Sequence, residues 1–195
     1  MQEAAMPAID PNPNSLSEAE TKLTCEVIRE LLDYDPETGI FIWKPRERKW
    51  FRTNNAYRTW NTRFAGKQAL TANIRGYRVG AVLNSVVNAH RLAWLYVHGR
   101  WPKGHIDHIN SVRGDNRIIN LREATRAENR WNSKMMCNNT SGLRGVRLYP
   151  HGRWRARIYV NGRFKHLGYF NTPEAAYGVY CLVAAVRRGA FARFD

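Results

Sequence analysis

The chain has 195 residues, with 31 Lys and Arg against 16 Asp and Glu, a formal charge of +15 at pH 7. That length allows one or two domains with a real hydrophobic core, and the charge points to a polyanionic partner, nucleic acid first and an anionic membrane second. No apolar run approaches the roughly 18 residues of a membrane span, the opening Met1-Gln2-Glu3 lacks a secretory pattern, and Cys25, Cys137 and Cys181 are too scattered for a disulfide framework or a C-x-x-C zinc pair. The expectation is a reduced, cytoplasmic protein.

The charge is uneven along the chain. Residues 1–42 carry two basic and nine acidic side chains, a net of −7; residues 43–137 carry nineteen and five, a net of +14; residues 138–195 carry ten and two, a net of +8. Residues 1–22 read as a disordered acidic tail, rich in Ala, Pro and Asn at its start. Residues 23–88 read as an α+β region. Leu23, Val27, Ile28 and Leu31 give a helical stripe, Asp35-Pro36-Glu37-Thr38-Gly39 a turn, and Ile40-Phe41-Ile42-Trp43 a strand. Residues 44–64 mix basic, aromatic and Asn side chains with little periodicity; they read as an ordered arm on phosphates or as a solvated loop. Ile74 to Leu83 reads as a strand interrupted at Gly76 and Gly80. His90 to Val97 reads as a helix stopped by Gly99, with Leu92, Leu95 and Tyr96 on one face. His90, at its start, reads as a structural hydrogen bonder rather than a site residue.

The chemistry concentrates in residues 105–132. Ile106 and Ile109 flank Asp107-His108 as at the end of a short strand, a polar loop follows, and Asn120 to Ala124 reads as the return strand. Thr125-Arg126-Ala127-Glu128 has capping-box spacing, so a helix starts at Thr125 with Asn129 about one turn in. Asp107 offers a hard anionic oxygen and Asn129 a neutral amide oxygen, a pair that suits Mg²⁺ with waters and phosphate completing its shell. His108 has an ordinary pKa near 6.5, suited to a general base. Acids are scarce in this stretch: only Glu47, Asp107, Asp115, Glu123 and Glu128 lie between residues 43 and 137. Asp107 is thereby a metal-ligand candidate; the simpler alternative is an ion pair with a nearby Arg.

The stretch from about Ala89 to Asn132 resembles the phage-type HNH homing endonucleases, a branch of the ββα-metal nucleases. Asp107-His108-Ile109-Asn110, the Asp115-Asn116-Arg117 loop and Asn120-Leu121-Arg122-x-Ala124-Thr125 carry the match. The resemblance implies a nuclease module over 89–137, with His108 as general base. It also implies Asp107 and Asn129 as ligands of Mg²⁺ (or Mn²⁺), and Asn120 as the residue that ties the loop and orients His108. It places the protein in a bacterial or phage-infected cell. The last ligand position is Asn, and the zinc-binding cysteines of some relatives are missing.

Residues 138–195 read as a second unit after a hinge at Asn138 to Gly142. Arg153, Arg155 and Arg157 alternate with Trp154, Ala156, Ile158 and Val160, so the arginines share one face of a strand. Asn161-Gly162 is a hairpin turn that puts Phe164 and His166 on the arginine face. Thr172-Pro173 starts a helix that Gly189 ends. The expected fold class is α+β: a ββα-metal module plus a three-stranded antiparallel sheet packed on one helix. This unit resembles the plant ethylene-response-factor (APETALA-two type) DNA-binding domain. Arg144-Gly145-Val146-Arg147, the Trp154 strand, Leu167-Gly168-Tyr169-Phe170 and Ala175-Ala176 carry that match. The resemblance implies Arg144, Arg147, Arg153, Arg155, Arg157 and His166 at a DNA face. Arg157 and His166 replace that family's Glu and Trp, so its target sequence does not transfer.

The reading is a metal-dependent, site-specific endonuclease acting on double-stranded DNA, with no obligatory protein partner. The alternatives are a DNA-binding regulator with an inert nuclease motif and a basic RNA-binding protein. Strand-face arginines with few aromatic rings beside them fit duplex readout better than the base stacking of single-strand binders.

Overall fold

The computed structural model describes residues 22–133, 135, 138–160 and 162–194. The expected acidic tail, apart from Lys22, lies outside the described residues, as do Cys137 and Asn161. The architecture is α+β. Two compact units divide between Ala124 and Thr125, which does not coincide with the bounds 89–137 and 138–195 read from sequence.

In the first unit, helix α1 (Cys25–Leu31) is capped by Thr24, and buries Cys25, Ile28 and Leu31 on one side. Strands β1 (Leu32–Asp35) and β2 (Ile40–Trp43) form a hairpin. The Asp35 carboxylate shapes its turn by accepting from Glu37 N and Thr38 Oγ1 at 2.9 and 2.7 Å.

Residues 44–64 correct the expectation of a loop. A 3₁₀ turn at Arg48–Trp50 precedes an eleven-residue helix, α2 (Asn54–Phe64), capped by Thr53. Tyr57, Trp60 and Phe64 are spaced by three and four, so they share a helix face. Trp60 packs against Trp43, Phe51 and Phe64, and Tyr57 against Phe51. The Arg46 guanidinium lies 4.8 Å from the Trp43 ring and 3.9 Å from that of Trp60, and burial lowers its pKa to about 10.

The single strand expected over Ile74 to Leu83 is instead a meander of β3 (Ala72–Ile74), β4 (Tyr77–Val82) and β5 (Ser85–Asn88). Arg75 and Gly76, both at positive φ, make the two-residue turn between β3 and β4. Gly76 is therefore a turn residue, not an interruption within a strand. Helix α3 (Ala89–His98) ends at Gly99, whose φ of 70° suits a residue without Cβ. It buries Leu92, Ala93 and Leu95 against α1 and the hairpins, in one core with Ile106 and Leu121. Strands β6 (His105–His108) and β7 (Leu121–Ala124) pair antiparallel at the end of this unit.

The second unit opens with helix α4 (Arg126–Trp131), where Thr125 and Glu128 form the expected capping box. Residues 139–143 are knotted by side chains: Asn139 bonds Ser141 and Leu143, and Ser141 Oγ donates to Val146 O at 2.7 Å. Strands β8 (Val146–Tyr149), β9 (Arg153–Val160) and β10 (Arg163–Phe170) form an antiparallel sheet ordered β10-β9-β8. Helix α5 (Pro173–Arg188) covers one face, burying Ala176, Tyr180, Ala184 and Arg188 at i, i+4 spacing. Thr172 caps its start, Pro173 occupies its first turn and Gly189 ends it. At Gly145, φ is +74° and any Cβ would fall on the Tyr180 ring, so the sheet and helix close over a bare backbone. Cys25 and Cys181 are free thiols. Among the described residues, no helix is long and apolar enough to cross a membrane.

Candidate active site and nucleic-acid interface

The β6–β7 ladder sets the centre of the site. Asp107 faces Arg122 across it, and His108, the last residue of β6, faces Leu121. Both Asp107 and His108 are buried. Arg122 donates to Asp107 Oδ2 from Nε at 2.9 Å and from Nη2 at 2.8 Å. The ion pair that is the simpler reading of Asp107 is therefore present.

The scarcity of acids does not by itself single out Asp107. Glu47 pairs with Lys49, Asp115 with Arg117 and Glu123 with Arg100, while Glu128 serves the capping box. Burial makes the distinction: the Asp107 side chain is 5 % exposed, against 15 % for Asp115, 28 % for Glu123 and 68 % for Glu47.

The loop between the strands is tied by amides. Asn120 Oδ1 accepts from Asn110 N at 3.0 Å and its Nδ2 donates to Asp115 O at 2.8 Å, closing the loop on itself. The side-chain partner of His108 in this loop is Asn116, whose Oδ1 lies 3.4 Å from Nε2. Asn116 is buried, and its carbonyl accepts from Tyr34 Oη at 2.7 Å. Arg117 grips Asp115 at 2.6 and 2.8 Å and lowers its pKa to about 2 against the upward push of partial burial. Burial lowers the His108 pKa below the ordinary value, outweighing the upward pulls of Asn116, Asp107 and Asp115. A neutral imidazole at neutral pH is the form that can take a proton.

His90, structural by its position in the sequence, borders the site. Its ring centroid lies 5.1 Å from that of His108, and Tyr77 lies 5.2 Å from His90 and 5.9 Å from His108. His90 is buried, its Nδ1 has no hydrogen-bond partner, and burial lowers its pKa to about 3. No local signal ties His90 to His108, because α3 and β6 meet only through the tertiary fold.

A divalent cation would find one buried hard anion here, Asp107. Among the described residues, no three His, Cys, Asp or Glu side chains converge as a metal cluster. That donor set fits an ion that keeps most of its waters, such as Mg²⁺, rather than a zinc cage. Asn129, the other ligand candidate, lies on α4 in the second unit.

On the second unit's sheet, Arg153, Arg155 and Arg157 project from the face opposite α5, with Arg147 paired to Arg155 and His166 to Arg157. Arg157 has a lowered pKa, from burial first and then from the charges of Arg155 and Arg147. Arg144 precedes β8, and its Nη2 donates to Ser133 O at 2.7 Å. Phe164 faces Tyr159, so it and His166 share the arginine face. The expectation of few aromatic rings on this face is corrected. Tyr149, Tyr159, Phe164 and Tyr169 interleave with the arginines and are substantially exposed. Arg155 lies over the Tyr149 ring and Arg157 over that of Phe164, at 5.1 and 4.2 Å. Tyr149 and Tyr159 follow Arg147 and Arg157 at a spacing of two, which puts ring and guanidinium on one strand face, so the sequence carries this signal.

The HNH endonuclease family model matches residues 87–131, a span that holds α3, β6, β7 and α4. Protein 3.8 of Escherichia phage T7 is 33% identical over 107 residues, covering 54% of this chain and 88% of that protein. An uncharacterized HNH endonuclease, L560, of Acanthamoeba polyphaga mimivirus is 30% identical over 119 residues, covering 60% of this chain and 61% of that protein. No solved structure matches the chain. With the matched span holding Asp107, His108, Asn120 and Asn129 together, the chain belongs to the HNH endonuclease family.

Proposed function

We propose that the chain is a metal-dependent, site-specific endonuclease of the homing type, hydrolysing phosphodiester bonds of double-stranded DNA. The observation that carries the reading is His108. It is a buried imidazole of lowered pKa, bonded to Asn116 and adjacent to Asp107, inside the span that matches the nuclease family.

His108 takes the proton of the attacking water as general base. Asn116 holds the ring through Nε2, and Asn120 fixes the loop that carries Asn116. Asp107 would hold Mg²⁺ or Mn²⁺, which when bound supplies positive charge to the phosphate as charge develops on it; Asn129 is the second ligand that the family resemblance implies. Arg122 pairs with the buried Asp107 and aligns its carboxylate.

The arginine face of the sheet supplies affinity and site choice, in the manner of the plant ethylene-response-factor domain. Arg144, Arg147, Arg153, Arg155, Arg157 and His166 are its DNA-binding set. Arginine suits both guanine edges and phosphates. The second reading, a DNA-binding regulator with an inert motif, draws on the Asp107–Arg122 pair, which occupies Oδ2 of the proposed ligand. Incubating the protein with supercoiled plasmid, with Mg²⁺ or with EDTA, separates the two. Relaxed or linear product only with Mg²⁺ supports the nuclease; binding without cleavage in either condition supports the regulator.

A further inference from the structure

The second unit contains a cavity of about 580 Å³ beside the arginine face. Five arginines line it: Arg130, Arg144, Arg147, Arg157 and Arg188. No carboxylate lies among its described lining residues. Glu128, on the same helix as Arg130, is committed to the Thr125 cap. Five like charges around one space repel one another, and a bound anion is the natural counterweight.

Phosphate alone does not account for the walls. Phosphate calls only for cations and N–H donors, whereas this space is also walled by Trp131, Tyr159, Phe164 and Tyr180. Tyr159 and Phe164 face each other across β9–β10 with ring centroids 5.0 Å apart, and are 36 % and 59 % exposed. Arg188 is buried among the rings. It donates to Tyr180 Oη at 3.0 Å and lies over the Trp131 ring at 5.5 Å, while its Nε has no partner. Rings and guanidinium planes are the surfaces on which unpaired bases stack, and the volume falls in the range of small-ligand sites. A paired base offers only its edge and cannot enter such a space.

We propose that this cavity receives one unpaired nucleotide of the DNA strand, its base against Tyr159 and Phe164 and its phosphate among the arginines. The inference rests on the DNA reading above. It adds that the unit holds DNA through a locally unpaired or extruded nucleotide as well as through the duplex. Bases in an intact duplex must be unstacked first, so a strand with one already unpaired binds more tightly.

The test uses the full chain in EDTA, to prevent cleavage, and two fluorescein-labelled duplexes of the same sequence. One is fully paired; the other carries a single extra adenosine as a bulge. Wild type should bind the bulged duplex about tenfold more tightly, the worth of one stacked base. Phe164→Ala and Tyr159→Ala should each bring that ratio towards one; both rings are exposed, so the core stays intact, and thermal melts verify it. Equal affinity of wild type for the two duplexes overturns the proposal and leaves the DNA reading standing, as does a ratio that neither substitution moves. Binding to neither duplex overturns both.

Discussion

Arg122 grips Asp107 through two nitrogens on one carboxylate oxygen, directly across the β6–β7 ladder. Both side chains are largely buried, at 17 % and 5 % exposure, so each offsets a charge that water solvates only in part.

Removing one partner leaves the other uncompensated. Arg122→Met should therefore lower stability by roughly 3 kcal/mol, read from urea unfolding. If Asp107 is also a metal ligand, added Mg²⁺ should restore part of that loss in the variant, because binding to the folded state alone is stabilising. An unchanged urea midpoint in Arg122→Met contradicts the pairing account.

Asn116 Oδ1 lies 3.4 Å from His108 Nε2, the placement of a residue that orients the imidazole. Asn116→Ala should lower kcat by about tenfold to a hundredfold while KM moves little, the usual scale for a residue that orients a site group. Asn116→Asp keeps an acceptor at Oδ1 and should retain more of kcat. A defect confined to KM would place Asn116 in substrate binding instead.

The pH profile follows from the lowered His108 pKa. Its neutral form persists below the ordinary His value, so the acid limb of kcat/KM should lie below about pH 6.5. An acid limb above pH 7 would show that another group, or a charged His108, governs the rate.

His90 makes a separate, structural prediction. Its folded pKa of about 3 lies below the unfolded value of 6.5. The unfolded chain thus takes up a proton there that the folded chain refuses. The stability contribution is fully present above pH 6.5 and is lost as pH falls towards 3, at roughly 1 kcal/mol per pH unit. His90→Phe should flatten that part of the stability curve. Identical slopes for wild type and variant would contradict the buried neutral His90.

The arginine face predicts a salt effect. Replacing Arg153, Arg155 and Arg157 by Gln in the full chain should reduce the slope of log K against log salt by about 0.9 for each phosphate that is no longer neutralised. An unchanged slope would show that these arginines do not meet phosphate. A cut after residue 137 would divide the unit that carries this face. Arg144 and Arg193 bond the carbonyls of Ser133 and Asn132, so the residues after α4 belong to the same unit as the sheet.

The sequence is most legible where local chemistry and fold agree. The Thr125 capping box, the strict alternation of β9, and the Thr172 and Gly189 ends of α5 are all readable, since each depends on neighbours within a few residues. Helix α2 is not, because its stripe of Tyr57, Trp60 and Phe64 is diluted by Asn and basic residues and buries none of its own positions fully. The β3–β4 turn is hidden because Arg75 takes positive φ, which its identity does not advertise. Within the site, the motif exposes Asp107, His108 and Asn120. The contacts of His108 with Asn116 and His90 depend on how the loop and α3 fold back, which no spacing encodes.

The most direct test of the account is His108→Ala, compared with wild type for Mg²⁺-dependent cleavage and for DNA affinity in EDTA. Loss of a general base costs about 10²–10⁴ in rate. The expected result is a loss of that size with affinity nearly unchanged. Cleavage at the wild-type rate, with the chain folded and DNA bound, would contradict it.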